Sequence, residues 1–296
     1  MNSTRLKGWQ IQGRPLISVG LPTYNKAPYL RQTIETILNQ SFRNFELIIS
    51  DDESQDDSMS ICEEFSLHDS RVRLFKQDHN LGMIENFDFV LNKSRGKYFI
   101  WISGDDFIDQ NWLDVLLKGM SEDAVISFGR LVEISKKGKI TKVRRLMQFR
   151  GPLLVRVMKM YWSSGAACNF LHGLARTEYV KSMGGLNTFK HAGLGFDRLF
   201  AWQSLQHGFL VSNDGANIYK RDSINNWYIQ SLPLHKLALH AILPAVPIRR
   251  VLLLHTVRLC PSVKLLLIIM FVPRCIYALI LWYLKGISFI LGRLFY

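Results

Sequence analysis

Two stretches decide the fold of this chain: residues 45–52, with the sequence FELIISDD, and residues 98–106, with the sequence YFIWISGDD. Each is an apolar run of strand length that ends in two adjacent aspartates. Continuous apolar runs of this length are typical of strands buried on both faces of a sheet. Open α/β sheets bind ligands at the carboxyl edge of their strands, so the doublets predict unpaired, solvent-facing acids at a binding edge. The alternative is that these aspartates only begin turns or cap helices.

Strand and helix patterns alternate around these two runs. Strands are predicted at residues 17–21, 45–50, 71–76, 98–102 and 124–128. Helices, with apolar residues at helical spacing, are predicted at residues 29–39, 58–65, 83–91 and 110–120. Such alternation means parallel strands with helices on both faces. The predicted fold class is therefore α/β, a Rossmann-like three-layer sandwich with a mainly parallel sheet.

Several short motifs occur in a fixed order along the first half of the chain. They are LPTYNK at residues 21–26, DDESQD at 51–56, NLG at 80–82, GKY at 96–98 and the doublet at 105–106. In this order and spacing the chain resembles the inverting glycosyltransferases of family 2, which have the GT-A fold and use nucleotide sugars. The resemblance covers residues 15–130 and extends more weakly over residues 160–210.

The resemblance implies a site for a nucleotide-diphosphate sugar and a metal ion. Mg²⁺ or Mn²⁺ would be bound directly by Asp106, because these hard cations prefer carboxylate oxygens. Such an ion stabilises the charge that develops on a departing diphosphate. Asp105 would contact the ribose or a metal-bound water, and Asp52 would contact the base or the ribose. The first wall of the nucleotide pocket would be formed by Pro22, Thr23 and Tyr24.

The resemblance also implies a catalytic base, Asp197. This residue follows a glycine-punctuated loop and precedes an apolar helical run. In the resembled family, an acid placed after such a loop on the acceptor side takes the proton of an acceptor hydroxyl. Attack from the face opposite the diphosphate then inverts the anomeric centre. The alternative is that Asp197 caps the helix.

Other features show no ligand pattern. Residues 135–160 are basic and irregular, which predicts a solvated loop, with an acceptor-side loop or a membrane contact as the alternative. The histidines form no HxH or HxxxH pattern, so His172, His191 and His207 are interpreted as structural or surface residues rather than metal ligands. The four cysteines form no CxxC pair, so no zinc site is predicted.

The net charge of +13 is concentrated near the C-terminus, where residues 223–296 contain eight Lys and Arg and no Asp or Glu. These cations lie among apolar and aromatic residues. That pattern disfavours nucleic-acid binding, because nucleic-acid-binding segments need an exposed polar scaffold. No uninterrupted apolar run reaches the roughly 20 residues of a spanning helix. In-plane amphipathic helices on an anionic membrane are therefore predicted. The alternatives are one kinked span or hairpin, and a helical subdomain buried on the catalytic domain or in an oligomer.

The predicted organisation has three parts. They are a polar N-terminal lead at residues 1–14, a GT-A domain at 15–230 and a membrane-associating, apolar and basic helical tail at 231–296. Within the domain, residues 15–130 form the nucleotide-binding half and residues 131–230 the acceptor half. Residues 1–13 are polar, so no secretory signal is predicted.

The resulting hypothesis is a transferase at the cytoplasmic face of the plasma (inner) membrane, held there as a peripheral or monotopic protein. It would move a sugar from a nucleotide-sugar donor to a hydroxyl of a glycan or glycolipid acceptor, such as a lipid-linked or cell-surface polysaccharide precursor. One alternative is a catalytically idle, membrane-bound nucleotide-sugar binding module. The other is a nucleotidyltransferase, although the chain lacks the Gly-rich phosphate loop expected near the N-terminus of such enzymes.

Overall fold

The computed structural model describes residues 13–135, 137–162, 170–189 and 196–221, together with positions 261, 265 and 269. The chain divides into two units, Met1–Asp222 and Ser223–Tyr296, and the fold given below belongs to the first. The predicted helical tail, apart from those three positions, and most of the predicted lead lie outside the described residues. Among the described residues, no helix combines the length and the hydropathy needed to cross a membrane.

Strands and helices alternate along the first unit as the sequence predicts. The described strands are β1 (Ile17–Thr23), β2 (Phe45–Asp51), β3 (Val72–Lys76), β4 (Tyr98–Trp101), β5 (Phe107–Ile108), β6 (Ala124–Ile134), β7 (Ile140–Val143), β8 (Leu174–Arg176) and β9 (Phe209–Arg221). The described helices are α1 (Ala27–Leu38), α2 (Ser58–His68), α3 (Met83–Asn92), α4 (Trp112–Lys118), α5 (Leu153–Trp162), α6 (Thr177–Ser182) and α7 (Phe196–Ser204).

The strands form one mixed sheet in the order β3-β2-β1-β4-β8-β6-β9-β5, with β7 paired to β6. β1 to β4 are parallel, and β9 is parallel to β6. β8 runs antiparallel to both β4 and β6, and the short strands β5 and β7 are antiparallel to β9 and β6. The α/β class is confirmed, and the sheet is mixed, with long parallel pairings and short antiparallel ones. Antiparallel pairs need no long crossover, so strand–helix alternation alone does not reveal them.

Strand register brings the ends of β1, β2 and β4 together. Thr23 at the end of β1 pairs with Asp51 at the end of β2, and Gly20 pairs with Trp101 at the end of β4. All three strands are buried along their whole length. Because parallel strands share one carboxyl edge, both aspartate doublets follow strands at the same edge, as the sequence predicts.

Helix α1 covers this part of the sheet with the apolar face that its sequence pattern predicts. Leu30, Ile34 and Ile37 are fully buried, and each such side chain contributes about 1.5–3 kcal/mol when it leaves water. A proline at the start of the helix restricts the backbone to helical geometry where no N–H partner is needed. The packing therefore fixes the position of the α1 N-terminus beside the carboxyl edge.

A glycine allows a close approach before β4. A Cβ atom on Gly96 would lie 2.6 Å from the backbone nitrogen of Ser18. The Ser18 hydroxyl accepts the Gly96 N–H at 2.8 Å and itself donates to Glu46 at 2.6 Å. Gly96 therefore lets the chain enter β4 directly beside β1, which places the second doublet in register with the first.

Residues 135–160 differ from the predicted irregular loop. β6 is longer than predicted and forms a hairpin with β7, and α5 begins at Leu153. β7 is exposed along its length, so the segment is solvated but ordered. The sequence does not predict β7 because the strand, which pairs with β6, is exposed and needs no buried face. It therefore has basic residues where a buried strand would have apolar ones.

Candidate active site

Asp52 lies at the carboxyl edge and holds the turn formed by residues 80–82. Its carboxylate accepts the Leu81 N–H at 2.7 Å and the Gly82 N–H at 3.0 Å, while its backbone carbonyl accepts the Asn80 amide at 3.0 Å. Burial raises the pKa of Asp52, and the two backbone N–H groups oppose that rise. The carboxylate is thus a fixed acceptor whose remaining lone pairs can receive a ligand donor.

Three further polar side chains at this edge contain an oxygen without a partner. The buried atoms Thr23 Oγ1, Asp51 Oδ1 and Asn86 Oδ1 make no hydrogen bond within the part of the chain that the structure describes. Asp51 uses its other oxygen to accept the Ser54 N–H at 3.0 Å, and the Asn86 amide donates to the Ser50 carbonyl at 3.2 Å. Buried polar atoms are rarely unsatisfied. Their concentration at one edge therefore indicates a ligand site.

Asp105 is not the unpaired acid that the sequence predicts. Lys26, at the start of α1, donates to its Oδ2 at 2.6 Å. Its backbone carbonyl accepts the Arg221 guanidinium at 2.6 Å. That guanidinium also lies over the rings of Tyr29 and Phe107, with distances of 4.6 and 5.0 Å to the ring centroids. The end of β9 and the start of α1 therefore hold Asp105 between two cations.

Asp106 is buried, in contrast to the predicted solvent-facing acid. The residue is 1% exposed, because its backbone carbonyl accepts the Thr33 hydroxyl of α1 at 2.7 Å and the end of β9 lies close by. Burial, and secondarily the charge of Asp105, raise the pKa of Asp106. The Lys220 charge and the Arg221 backbone N–H oppose this shift, yet no described residue reaches hydrogen-bond geometry with either carboxylate oxygen.

A histidine lies beside this carboxylate. His172 Nδ1 is 2.9 Å from the carbonyl oxygen of Trp101, and Nε2 is 3.6 Å from Asp106 Oδ2. Burial, and secondarily the charge of Lys220, lower the pKa of His172 to about 4, so the ring is neutral at pH 7. A carbonyl only accepts hydrogen bonds, so the single ring proton belongs on Nδ1. Nε2 consequently presents a lone pair to Asp106.

The donor set fits a divalent cation. A buried carboxylate without a partner is unfavourable by several kcal/mol unless a cation compensates its charge. Among the described residues, no three His, Cys, Asp or Glu side chains form a metal cluster. Mg²⁺ and Mn²⁺ sites that hold a diphosphate take only one or two carboxylates, with phosphate and water oxygens as the remaining ligands. Asp106 satisfies that requirement.

The predicted wall residues occupy the end of β1. Pro22 and Thr23 are the last two residues of the strand, and Tyr24 follows with 43% of its surface exposed. Thr23 lies next to the second doublet, since a Cβ atom on Gly104 would be 2.9 Å from Thr23 Oγ1. Their contacts with a nucleotide, like those of Asp52 and Asp105, stay predictions.

Asp197 lies in the first turn of α7, at the start of a helix as predicted. Residues 190–195, which include the predicted glycine loop, are outside the described residues. The loop before them is anchored to α3, where Asp88 accepts the Leu186 and Asn187 N–H groups at 2.7 and 2.8 Å. The role of Asp197 as base stays a prediction.

Lys26 and Arg221 are site residues that the sequence analysis did not name, and His172, which it interpreted as a structural or surface residue, lies buried beside the second doublet. Each reaches the edge from an element distant in sequence: α1, the segment before β8 and the end of β9. Lys26 belongs to the motif LPTYNK. Its position just after β1, at the carboxyl edge of the sheet, was the signal that could have identified it as a site residue. For His172 and Arg221 no local signal exists, because β8 and β9 were not predicted.

Comparison with known proteins adds evidence of ancestry. The family model described as Glycosyl transferase family 2 matches residues 18–178, more than half of the chain. Glycosyltransferase GlyG of Streptococcus pneumoniae serotype 4 is 35% identical over 115 residues, which are 38% of each chain. The GalNAc(5)-diNAcBac-PP-undecaprenol beta-1,3-glucosyltransferase of Campylobacter jejuni is 31% identical over 129 residues, 43% of this chain and 41% of the relative. The alignments thus span about two fifths of these relatives.

Solved structures share the fold. S. aureus TarS 1-349 in complex with UDP-GlcNAc aligns with a TM-score of 0.62 at 17% identity, covering 86% of this chain and 71% of TarS 1-349. The mannosyltransferase PcManGT from Pyrobaculum calidifontis, in complex with GDP-Man and Mn²⁺, aligns with a TM-score of 0.56 at 15% identity, covering 93% and 81%. At such identities the likeness shows the fold alone, which is the GT-A glycosyltransferase fold. Together with the family match, it establishes that the chain belongs to glycosyl transferase family 2.

Proposed function

We propose that this protein transfers a sugar from a nucleotide-diphosphate sugar to an acceptor hydroxyl, with a divalent cation at Asp106 and with inversion of the anomeric centre. One observation carries the proposal: Asp106 is a buried carboxylate at the carboxyl edge of the sheet, and neither of its oxygens has a hydrogen-bond partner among the described residues. Such a group destabilises the ligand-free protein. Binding of the cation and diphosphate offsets that destabilisation.

The donor would lie along the ends of β1, β2 and β4. Asp52 would accept a hydrogen bond from the base or the ribose, because its position is fixed by residues 81 and 82. Asp105 would contact the ribose or a metal-bound water. Lys26, already paired with Asp105, would supply a positive charge near the phosphates. The TarS complex with UDP-GlcNAc and the PcManGT complex with GDP-Man and Mn²⁺ support this class of donor and cation.

The chain's own groups would divide the chemistry between the two halves of the site. Asp106 would hold the cation, which when bound would supply positive charge against the negative charge on the departing diphosphate. Asp197 takes the proton from the acceptor hydroxyl and so makes its oxygen a better nucleophile. The acceptor oxygen forms the new bond to the anomeric carbon as the bond to the diphosphate breaks. Approach from the opposite face gives a product of inverted configuration.

A lipid-linked acceptor at the cytoplasmic face of the plasma membrane is proposed as well. The support is the name of the Campylobacter jejuni relative, which describes an undecaprenol-linked acceptor. Further support comes from the basic and apolar composition of residues 223–296. Full-length protein should then sediment with anionic vesicles and less with neutral ones, and salt should weaken that binding without abolishing it. Equal sedimentation with both vesicle types, or with neither, would contradict the peripheral location.

A panel of UDP-linked and GDP-linked sugars tests the reaction. Full-length protein with Mn²⁺ and a lipid-linked oligosaccharide fraction should release nucleoside diphosphate from one donor and transfer its sugar. NMR of the product should show an anomeric configuration opposite to that of the donor. Conversion of the donor to a nucleoside triphosphate and a sugar 1-phosphate when pyrophosphate is added would instead indicate a nucleotidyltransferase. Saturable donor binding without turnover on any acceptor would indicate an idle binding module, and either result would overturn the proposed function.

A further inference from the structure

Asp106 and His172 place two electron-pair donors opposite each other in a buried position. The distance of 3.6 Å between Asp106 Oδ2 and His172 Nε2 is longer than a hydrogen bond. The Trp101 carbonyl, which only accepts hydrogen bonds, orients the Nδ1 proton and leaves the Nε2 lone pair directed at the carboxylate. Asp106 Oδ2 has no hydrogen-bond partner among the described residues. A cation bound by both atoms would use both lone pairs.

The separation matches two ligands of one ion. With metal–ligand bonds of about 2.1 Å, two ligand atoms are about 3.0 Å apart at a right angle and about 3.6 Å apart at about 120°. A small side-chain rotation therefore brings Asp106 Oδ2 and His172 Nε2 into octahedral geometry. The remaining positions are left for phosphate and water oxygens.

The surroundings of the imidazole are those of a metal ligand. A histidine that binds a metal through one nitrogen almost always donates its other N–H to a carboxylate or a carbonyl, which fixes the tautomer and the ring orientation. The carbonyl of Trp101 provides that acceptor. Trp101 is itself immobilised, since its indole N–H donates to the Phe87 carbonyl at 2.8 Å and its ring packs edge-on against Phe99 and Phe200.

We propose that His172 Nε2 is a second protein ligand of the donor-site cation, beside Asp106, and that it makes the site select Mn²⁺ over Mg²⁺. The selectivity follows because Mg²⁺ is bound through oxygen ligands and keeps several waters, whereas Mn²⁺, although it also prefers oxygen, is a transition metal and accepts an imidazole nitrogen more readily. This inference rests on the proposed function, because the cation is the one that accompanies the nucleotide diphosphate.

Pulsed electron paramagnetic resonance of Mn²⁺ tests the inference on the full-length protein. Mn²⁺ and UDP are added to wild type, and the spectrum should show the ¹⁴N coupling of a directly bound imidazole. The matched variant is His172→Asn, whose side-chain amide can still donate to the Trp101 carbonyl but has no atom at the Nε2 position. It should lose the coupling and bind Mn²⁺ in the presence of UDP at least about tenfold more weakly, the scale seen when even a supporting partner of a ligand is removed.

Selectivity gives an independent measurement. The ratio of Mg²⁺ to Mn²⁺ dissociation constants, measured with UDP present, should fall in His172→Gln because the side-chain oxygen of glutamine can replace Nε2 with a hard ligand. An unchanged ratio would contradict the selectivity. If wild type binds Mn²⁺ and UDP without ¹⁴N coupling, His172 is not a ligand while the proposed function stands. If wild type binds Mn²⁺ neither with UDP nor with GDP, both proposals are wrong. The wild-type spectrum decides the matter even if a variant fails to fold.

Discussion

Asp106→Asn should stabilise the metal-free protein while abolishing its activity. The wild-type carboxylate is buried, and neither oxygen has a hydrogen-bond partner among the described residues. Asparagine has nearly the same shape and no charge, so the substitution removes the unfavourable buried charge and leaves the packing intact. The same change removes the oxygen charge that would hold the cation. Stability and activity should therefore change in opposite directions.

The shifted pKa of Asp106 gives the size of the expected change in stability. The pKa of Asp106 is raised from 3.8 to about 7, mainly by burial. At about 1.4 kcal/mol per pKa unit, the ionised side chain destabilises the fold by about 4 kcal/mol at pH 8. The asparagine amide is also buried without hydrogen-bond partners, which costs the variant about 1–3 kcal/mol. This cost reduces the stability that the variant gains by losing the charge. The remaining 1–3 kcal/mol, roughly, should raise the melting temperature by several degrees.

The pH dependence has a defined sign. The folded carboxyl keeps its proton where the unfolded chain has lost it, so the destabilisation develops as the pH rises from about 4 to about 7. Thermal melting in EDTA should give a large advantage of Asp106→Asn at pH 8 and less than half of it at pH 5. Glu64→Gln is the control, because it removes a carboxylate charge from an exposed ion pair with Arg31, and it should give no advantage at either pH. A variant less stable than wild type at pH 8, or an advantage equal at both pH values, would show that the ionised Asp106 carboxylate does not destabilise the fold.

Three further predictions concern the donor pocket, the base and the sheet. Asp52→Ala should weaken UDP binding about 10- to 100-fold in calorimetry, since it removes a charged acceptor and releases the turn at residues 80–82; unchanged affinity would exclude Asp52 from the pocket. Asp197→Asn should keep UDP affinity and slow transfer about 100-fold or more, whereas lost UDP binding would place it in the donor half. Glu46→Gln should lower the free energy of unfolding by about 3 kcal/mol at pH 7. Burial alone would raise the pKa of Glu46, but hydrogen bonds from Ser18, Arg73 and Arg95 hold the pKa below its usual 4.5. In denaturant titrations, the stability advantage of wild type over Glu46→Gln should therefore shrink below pH 4.5. A difference that does not change with pH would contradict this.

The sequence predicted the first half of the fold because its elements are long and regular. The apolar runs ending at Asp52 and Asp106 mark strands buried on both faces, and the spacing of Leu30, Ile34 and Ile37 marks the buried face of α1. Parallel pairing then sets both doublets at one edge. These features depend on local periodicity, which a single sequence displays.

The second half of the sheet lacks such local signals. β5 and β8 contain two and three residues, too few for a periodic pattern. β9 contains the polar segment Asn213-Asp214-Gly215, and its pairing with β6 is interrupted by register shifts. A strand of this kind is held by its neighbours rather than by its own apolar pattern, so the sequence gives little indication of it.

The residues that contact the second doublet could not be predicted for a related reason. Lys26 and Asp105 are 79 residues apart, and Trp101 and His172 are 71 apart. Contacts of this range depend on the order of strands in the sheet, and β8 was not predicted. The prediction that Asp106 faces solvent is wrong, because α1 and the end of β9 cover this side chain.

Calorimetric titration of UDP in the presence of Mn²⁺ tests the donor site most directly. Wild-type protein should bind UDP at one site per chain with Mn²⁺ and much more weakly in EDTA, because the cation links the diphosphate to Asp106. Asp106→Asn should bind UDP weakly under both conditions. The titration is repeated with GDP. If neither UDP nor GDP binds, or if the one that binds does so equally with Mn²⁺ and with EDTA or equally to wild type and Asp106→Asn, the result would contradict a cation–diphosphate site at the second doublet.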